Sequence, residues 1–452
     1  VLALALPAGA ARAQTSPPGP PAWSIGRAIG IDGLRVQGSS RIRYETITGQ
    51  PRIGFNPADD LFNIRSTLLA EYRTGRVRIG GELWDSRVYG ENARTPVSTG
   101  EVNALELIQA YVAADLPGVL GKGSTVNLLA GRILPNVGSR RLIAADDYRN
   151  TTNGYTGATA TLAAGRIRST LVWLMPQVRL PADLPSIRRN RVQADRADGD
   201  LVLWGGTILR ERTIGPAGID VSAYRLRERD APDLPTRDRD LWTVSARLIR
   251  DPVPNGWDYE VEAIYQFGRE RDGTTATAPL VDVSAWFVHA ELARSLPGRW
   301  RPHLSLELDI ASGDRPGGRY GRFDTLFGMR RGDFAPPALY GTTARANLAT
   351  LGARLEVTPN ARLDAFVNYQ PLFLASRTDA FSTSGVRDPS GRSGRFAGHQ
   401  LDSRIRYWLW PNTLRLEGDL VLLAKGRFLR DAPGVSSRRD TAYLSLNATV
   451  FF

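Results

Sequence analysis

The chain has 452 residues, a net charge of +12, a mean hydropathy of −0.25, three histidines and no cysteine. This composition excludes a disulfide-stapled domain, a thiolate metal centre and a thiol nucleophile, and no apolar run reaches the roughly eighteen residues of a transmembrane helix. The positive charge is almost all arginine, 56 against two lysines, Lys122 and Lys425. A GC-rich genome gives the same bias, but arginine also keeps its charge everywhere and grips carboxylates in a planar fork.

The chain opens with "VLALALPAGAARAQ". Val1 to Leu6 reads as the apolar part of a secretory signal and Ala11-Arg12-Ala13 as its cleavage site, so residues 1–13 are expected to be removed on export. Pro17, Pro18, Pro20 and Pro21 then predict a stiff, extended leader over 14–33.

From residue 34 the pattern changes to strict alternation. "RVQGSSRIRYE" (35–45) sets Val36, Ile42 and Tyr44 against Arg35, Gln37, Arg41, Arg43 and Glu45. "GRVRIGGELW" (75–84), "DYEVEAIYQF" (258–267), "HLSLELDI" (303–310), "QLDSRIRYWL" (400–409) and "TLRLEGDLVLLA" (413–424) repeat it. The last segment, "TAYLSLNATVFF" (441–452), alternates to the final residues. Period two is the signature of a strand with two different faces. Eighteen such segments are expected: near 34–45, 61–73, 75–88, 102–115, 124–133, 153–162, 165–174, 200–211, 218–227, 240–250, 257–268, 280–293, 301–311, 345–358, 361–370, 399–409, 413–424 and 440–452.

The connections alternate between short and long, with the longest at 312–344 and 371–398. Even strand number, tight turns on one side and long loops on the other predict an all-β transmembrane barrel over 34–452, with the turns periplasmic. Closure satisfies every backbone donor, as lipid requires, so the last strand is expected to pair with the first. Its aromatic end, Phe452, reads as a signal for the barrel-assembly machinery. Tyr44, Tyr72, Trp84, Trp173, Trp242, Trp286, Tyr369, Trp408 and Trp410 lie towards segment ends and are expected in interfacial girdles facing outer-membrane lipid and lipopolysaccharide. A soluble propeller or sandwich is the competing fold.

In a membrane barrel the apolar face meets lipid and the polar face lines the lumen. Parity then places Arg41, Arg43, Arg65, Arg76, Arg78, Arg404, Arg406 and Arg415 inside, with Asp402 and Glu417 among the carboxylates. Arg166, Arg168, Arg247 and Arg354 follow, as do Glu82, Glu260, Glu262, Glu307, Asp309 and Asp419. Many are expected to pair across neighbouring strands. The excess positive charge predicts a water-filled tube that attracts anions.

Catalysis finds little support. His289, His303 and His399 have no G-x-S-x-G or H-E-x-x-H motif beside them, and "GDRPGGRYG" (313–321) follows no βαβ pattern, so it reads as a loop. No catalytic residue, metal ligand or cofactor is assigned. His303 is expected to hydrogen-bond a carboxylate in the lumen.

Three stretches resemble the alginate-export family of outer-membrane barrels. They are "LAGRILPNVGSRRLIAADDYRNTTNGYTGA" (129–158), "ASGDRPGGRYGRFDTLFGMRRGDF" (311–334) and "GHQLD" (398–402), in the family's order. The resemblance implies an eighteen-stranded barrel whose arginine-rich constriction passes an acidic polysaccharide outward, with periplasmic export components as partners. It adds Arg132, Arg141 and Asp314 to the path, together with Asp402. The function expected is a passive outer-membrane channel of a Gram-negative bacterium, most consistently exporting an alginate-like exopolysaccharide. An uptake porin for small organic acids or oligosaccharides is the alternative, and an outer-membrane hydrolase the third reading. Nucleic acid is not an expected partner.

Overall fold

The computed structural model describes residues 24–146, 148–231 and 234–452. The signal segment and the first half of the leader (14–23) therefore lie outside the described residues. The described end of the leader is not extended. It forms a short helix, α1 (Ile25–Ile29), capped by the Ser24 hydroxyl and by Gly30 in the left-handed conformation.

Eighteen strands form one sheet: β1 (Leu34–Thr48), β2 (Ala58–Thr74), β3 (Val77–Tyr89), β4 (Asn103–Pro117), β5 (Thr125–Ile133), β6 (Tyr155–Ala164), β7 (Ile167–Pro176), β8 (Leu201–Ile214), β9 (Ala217–Glu228), β10 (Asp240–Arg250), β11 (Trp257–Arg271), β12 (Leu280–Ser295), β13 (His303–Ala311), β14 (Leu348–Asn360), β15 (Leu363–Phe373), β16 (Phe396–Trp410), β17 (Leu414–Lys425) and β18 (Thr441–Phe451). Two further short helices, α2 (Leu184–Arg188) and α3 (Arg427–Asp431), sit in long loops. Every strand is antiparallel to its chain neighbours, and β18 pairs with β1 from Ser39↔Phe451 to Thr48↔Ala442. Two backbone hydrogen bonds between Gly38 and Phe452 extend this seam. Glycine is required there, because a Cβ at position 38 would collide with the Phe452 ring and the Thr67 carbonyl.

The distribution of polarity is that of a soluble protein turned inside out. Ile42, Leu306 and Leu351 are more than half exposed on the outer face, whereas Arg43, Asp309 and Asp402 are at most 1% exposed on the inner one. This alternation fixes the register, since a slip of one residue would present charges to lipid. Outward aromatics cluster near both rims: Tyr72, Trp257 and Trp410 at the short-turn end, Trp173, Trp242, Trp286 and Tyr369 towards the other. Trp84 and Trp408 are exceptions to the expected girdles. Trp84 lines the lumen, and Trp408 is buried with Arg415 over its ring. Their parity with Glu82 and Arg406 decides this, and a strand-end position does not override it.

The lumen is not uniformly polar, as parity alone had suggested. Towards the long-loop end its wall turns apolar, and loops fold inward against it. Ile133, Leu174, Leu203, Leu226, Phe287 and Phe323 form one such cluster with Leu142 and Ile143 of loop 134–154. Ile47, Leu61, Val88, Leu339 and Tyr340 form a second. Phe334, Leu372, Phe381 and Phe428 form a third, joining loops 312–347, 374–395 and 426–440. Residues 331–348 are almost entirely buried, so the longest loop is packed inside the barrel.

Candidate transport path

Two loops fold into the lumen and are fixed by ion pairs to its wall, one at β11 and the other at β16 and β17. Loop 134–154 carries Arg141, whose guanidinium is 1% exposed. It meets Glu260, Glu262 at 2.7 Å and Asp333 at 3.0 Å. Glu260 and Glu262 belong to β11, and Asp333 to loop 312–347, where Arg345 Nε also reaches it at 3.1 Å. Loop 312–347 supplies Arg331, which bridges Asp402 of β16 at 2.5 Å and Asp419 of β17 at 2.7 Å. Tyr148 completes the far attachment: its hydroxyl lies 3.1 Å from Asp419 and 3.2 Å from the Tyr443 hydroxyl. Removing one partner of a buried pair strands the other charge, so these anchors act as a set.

Beneath the loops the lumen opens as a cavity of about 350 Å³. Nine arginines line it (Arg41, Arg43, Arg65, Arg140, Arg331, Arg354, Arg404, Arg406, Arg415) against six carboxylates (Asp146, Glu291, Glu307, Asp333, Glu356, Glu417). The lining is therefore +3 with His303 neutral. Arg41, Arg43, Arg65, Arg354, Arg404, Arg406 and Arg415 come from β1, β2, β14, β16 and β17, flanking the closure seam and interleaved with Glu356 of β14 and Glu417 of β17, while Glu291 and Glu307 line the cavity from β12 and β13.

Aromatic rings hold several of these arginines by their faces. Arg354, Arg404 and Arg331 surround the Phe366 ring at 3.9, 4.9 and 5.1 Å from its centroid. Arg43 lies 4.2 Å over Tyr148, Arg65 4.7 Å over Trp84, and Arg415 about 5.5 Å from Phe451. Stacking uses the face of the guanidinium and spares its N–H edge, the part that grips a carboxylate.

The residues singled out in the sequence fall into three groups. Arg41, Arg43, Arg65, Arg404, Arg406, Arg415 and Glu417 line the cavity. Within it Arg41 donates to the Tyr148 and Arg149 carbonyls and to Asn150, and Arg406 meets Asp364 at 2.9 Å. Arg78, Arg132, Arg141 and Asp402 are engaged elsewhere on the inner face. Arg78 reaches Glu71 and Asp115 at 3.2 and 3.3 Å, Arg132 meets Glu106 at 2.6 Å, and Arg141 and Asp402 anchor the loops. Arg76 and Asp314 are not on the wall. Arg76 lies in the exposed turn 75–76, as Arg166 does in the turn 165–166, because β3 and β7 each begin two residues later, at Val77 and Ile167, than the alternation suggests. Asp314 is in loop 312–347 and accepts from the Gly321 amide at 3.0 Å, which shapes the loop. His303 meets Asp258 at 3.1 Å. Sequence reasoning missed Arg331, Asp333, Arg345 and Tyr148. Arg331 and Asp333 sit in the charged run "MRRGD" (329–333), just before the small and apolar stretch 334–344, and no comparable run marks Arg345 or Tyr148.

The alginate export family model matches residues 33–443. The chain belongs to the alginate export family. No curated protein matches it significantly in sequence. Solved structures match its fold. A BenF-like porin from Pseudomonas fluorescens Pf-5 aligns over 93% of this chain and 99% of its own at 12% identity and a TM-score of 0.60. Acinetobacter baumannii OccAB2 aligns over 93% and 98% at 14% identity and 0.58. Pseudomonas aeruginosa OccK2 (OpdF), crystallised with glucuronate, aligns over 93% and 96% at 11% identity and 0.55. This alginate-export barrel is thus an outer-membrane channel, and its relatives in family and fold are channels and porins.

Proposed function

We propose that the barrel is a passive, anion-selective channel of a Gram-negative outer membrane that exports an acidic exopolysaccharide of the alginate type. The observation that carries this reading is the arginine wall beside the closure seam. A run of guanidiniums, several stacked on Phe366, Tyr148, Trp84 and Trp408, gives a carboxylated polymer a series of equivalent partners. Glu291 and Glu307 on the adjoining β12 and β13 repel the polymer towards them. Each contact competes with a neighbouring carboxylate, which keeps any one of them weak enough to release. The polymer would arrive through periplasmic export components, and β18 with Phe452 would serve the assembly machinery during insertion.

The uptake of small organic acids is the second reading, favoured by the fold match to a porin crystallised with glucuronate. Block of the current by uronate oligosaccharides tests the shared chemistry. Uronate oligomers should reduce the current through bilayer-inserted barrels, and neutral oligomers of equal length should not. Equal block by both would remove the arginine wall from recognition. Deletion of the gene then separates the directions: acidic polymer retained in the periplasm supports export, and lost growth on small uronic acids supports uptake.

A further inference from the structure

β12 and β13 bring a histidine–carboxylate pair and a carboxylate–carboxylate pair to one patch of inner wall. Register sets His289 opposite Asp309 and Glu291 opposite Glu307. Like charges directly opposite on a sheet repel. The arginines of this wall are engaged next to them: Arg141, Arg247 and Arg345 pair with Glu260, Glu262, Asp220 and Asp333. Among the described residues no arginine forms an ion pair with Glu307 or Asp309, although these are 3% and 0% exposed.

A second feature of the patch points to a ligand. His289 Nδ1 is 2.9 Å from Asp309 Oδ1, yet His289 Nε2 and Asp309 Oδ2 are buried with no hydrogen-bond partner. So is the hydroxyl of Thr350, the residue opposite Asp309 on β14. Buried polar atoms are almost always satisfied, and three orphans lie here on adjacent strands beside Glu307, a buried carboxylate with no arginine paired to it. His289, Glu307 and Asp309 each offer a ligand atom, all within 4.8 Å of one another.

We propose that His289, Glu307 and Asp309 bind one divalent first-row transition cation, such as Mn²⁺ or Zn²⁺, on the inner wall. Two carboxylates balance its charge, and the imidazole favours such a cation over Ca²⁺ or Mg²⁺. The ion would relieve the Glu291–Glu307 opposition and tie β12 to β13. The brace lies next to the Arg141 anchor, because Glu262 stands opposite His289 in the sheet.

The test uses the detergent-solubilised full barrel, stripped with a chelator and titrated with Mn²⁺ while the free-ion electron paramagnetic resonance signal is followed. One equivalent should bind, compete with Zn²⁺, show spin-echo coupling to an imidazole nitrogen, and raise the temperature at which the folded gel band is lost. His289→Gln and Asp309→Asn, checked for that band, should weaken binding by more than the roughly 10–100-fold typical of losing an outer-shell partner. The proposal is overturned if the wild type binds neither ion, if bound Mn²⁺ shows no imidazole nitrogen, or if a folded variant binds like the wild type. The wild-type spectrum decides the matter even where a variant does not fold.

Discussion

Arg141 holds three carboxylates from two parts of the chain, and this makes it the most consequential single side chain of the lumen. Arg141→Leu would leave Glu260, Glu262 and Asp333 without their shared cation. Breaking a buried pair in this way costs on the order of 3–5 kcal/mol. The variant is expected to lose its folded gel band at a lower temperature and to show larger, noisier single-channel currents, because loop 134–154 is no longer held to β11. A quiet channel of wild-type size would show that Arg141 does not fix the loop. Arg404 and Arg406 lie two apart on the same face, yet their surroundings differ. Arg406 is 2.9 Å from Asp364 and both are about 3% exposed, whereas Arg404 is 3.9 Å from Asp364 and stacks on Phe366. Arg406→Gln should therefore mainly reduce stability, and Arg404→Gln should mainly reduce anion selectivity. Reversal potentials and melting temperatures measured on both variants check this, and the opposite assignment would contradict it. The sequence shows that both residues point inward, but not which carboxylate each meets, because Asp364 becomes a neighbour only through the register of β15 with β16.

At the scale of elements, the strands and the loops differ in how far the sequence reveals them. Alternation identifies each strand locally, and β1 to β18 lie where period two predicts them, with ends shifted by a few residues. The inward course of loop 312–347 has no such signature. Its packing depends on Arg331 and Asp333 meeting partners far along the chain, and on small residues such as those of "APPALYGTTARA" filling space against β15 to β17. Loop 177–200 offers a pH test. Burial, aided by the nearby charge of Glu106, pushes the Asp195 carboxyl up to about 6. The packed loop therefore binds this proton more tightly than the free chain does. Its extra stability is complete below the ordinary carboxylate range and is lost as pH rises through about 6. Amide exchange within 177–200, corrected for its intrinsic pH dependence, should show weaker protection at pH about 7.5 than at about 5. Asp195→Asn should remove the difference, and protection independent of pH in the wild type would contradict the assignment. The seam of β18 with β1 gives another expectation. Deleting Phe452 removes the ring over Gly38 and should lower the yield of inserted barrel while leaving the conductance of the barrels that form unchanged. Normal yield would dismiss the role of this residue in assembly.

At the scale of the whole molecule, eight short turns and nine long loops set the orientation. A tag within 315–319, the exposed part of the longest loop, should be labelled on intact cells, and a tag in the turn 361–362 should not. Labelling of the turn from outside would reverse the barrel. The closed barrel and its inward arginines follow from parity and closure, which is why they are legible in the sequence. The partners of those arginines are not. They depend on which strands become neighbours in the sheet, on the two loops that fold into the lumen, and on ring stacking that no spacing encodes. The central claim is that the arginines of the lumen outweigh its carboxylates. The reversal potential of single wild-type barrels in a planar bilayer under a potassium chloride gradient measures this most directly. The potential should have the sign of chloride preference and should shrink as salt on both sides is raised, since screening lengths fall from about 10 Å at 0.1 M to about 3 Å at 1 M. A potential of zero or of the potassium sign at low salt would contradict the account.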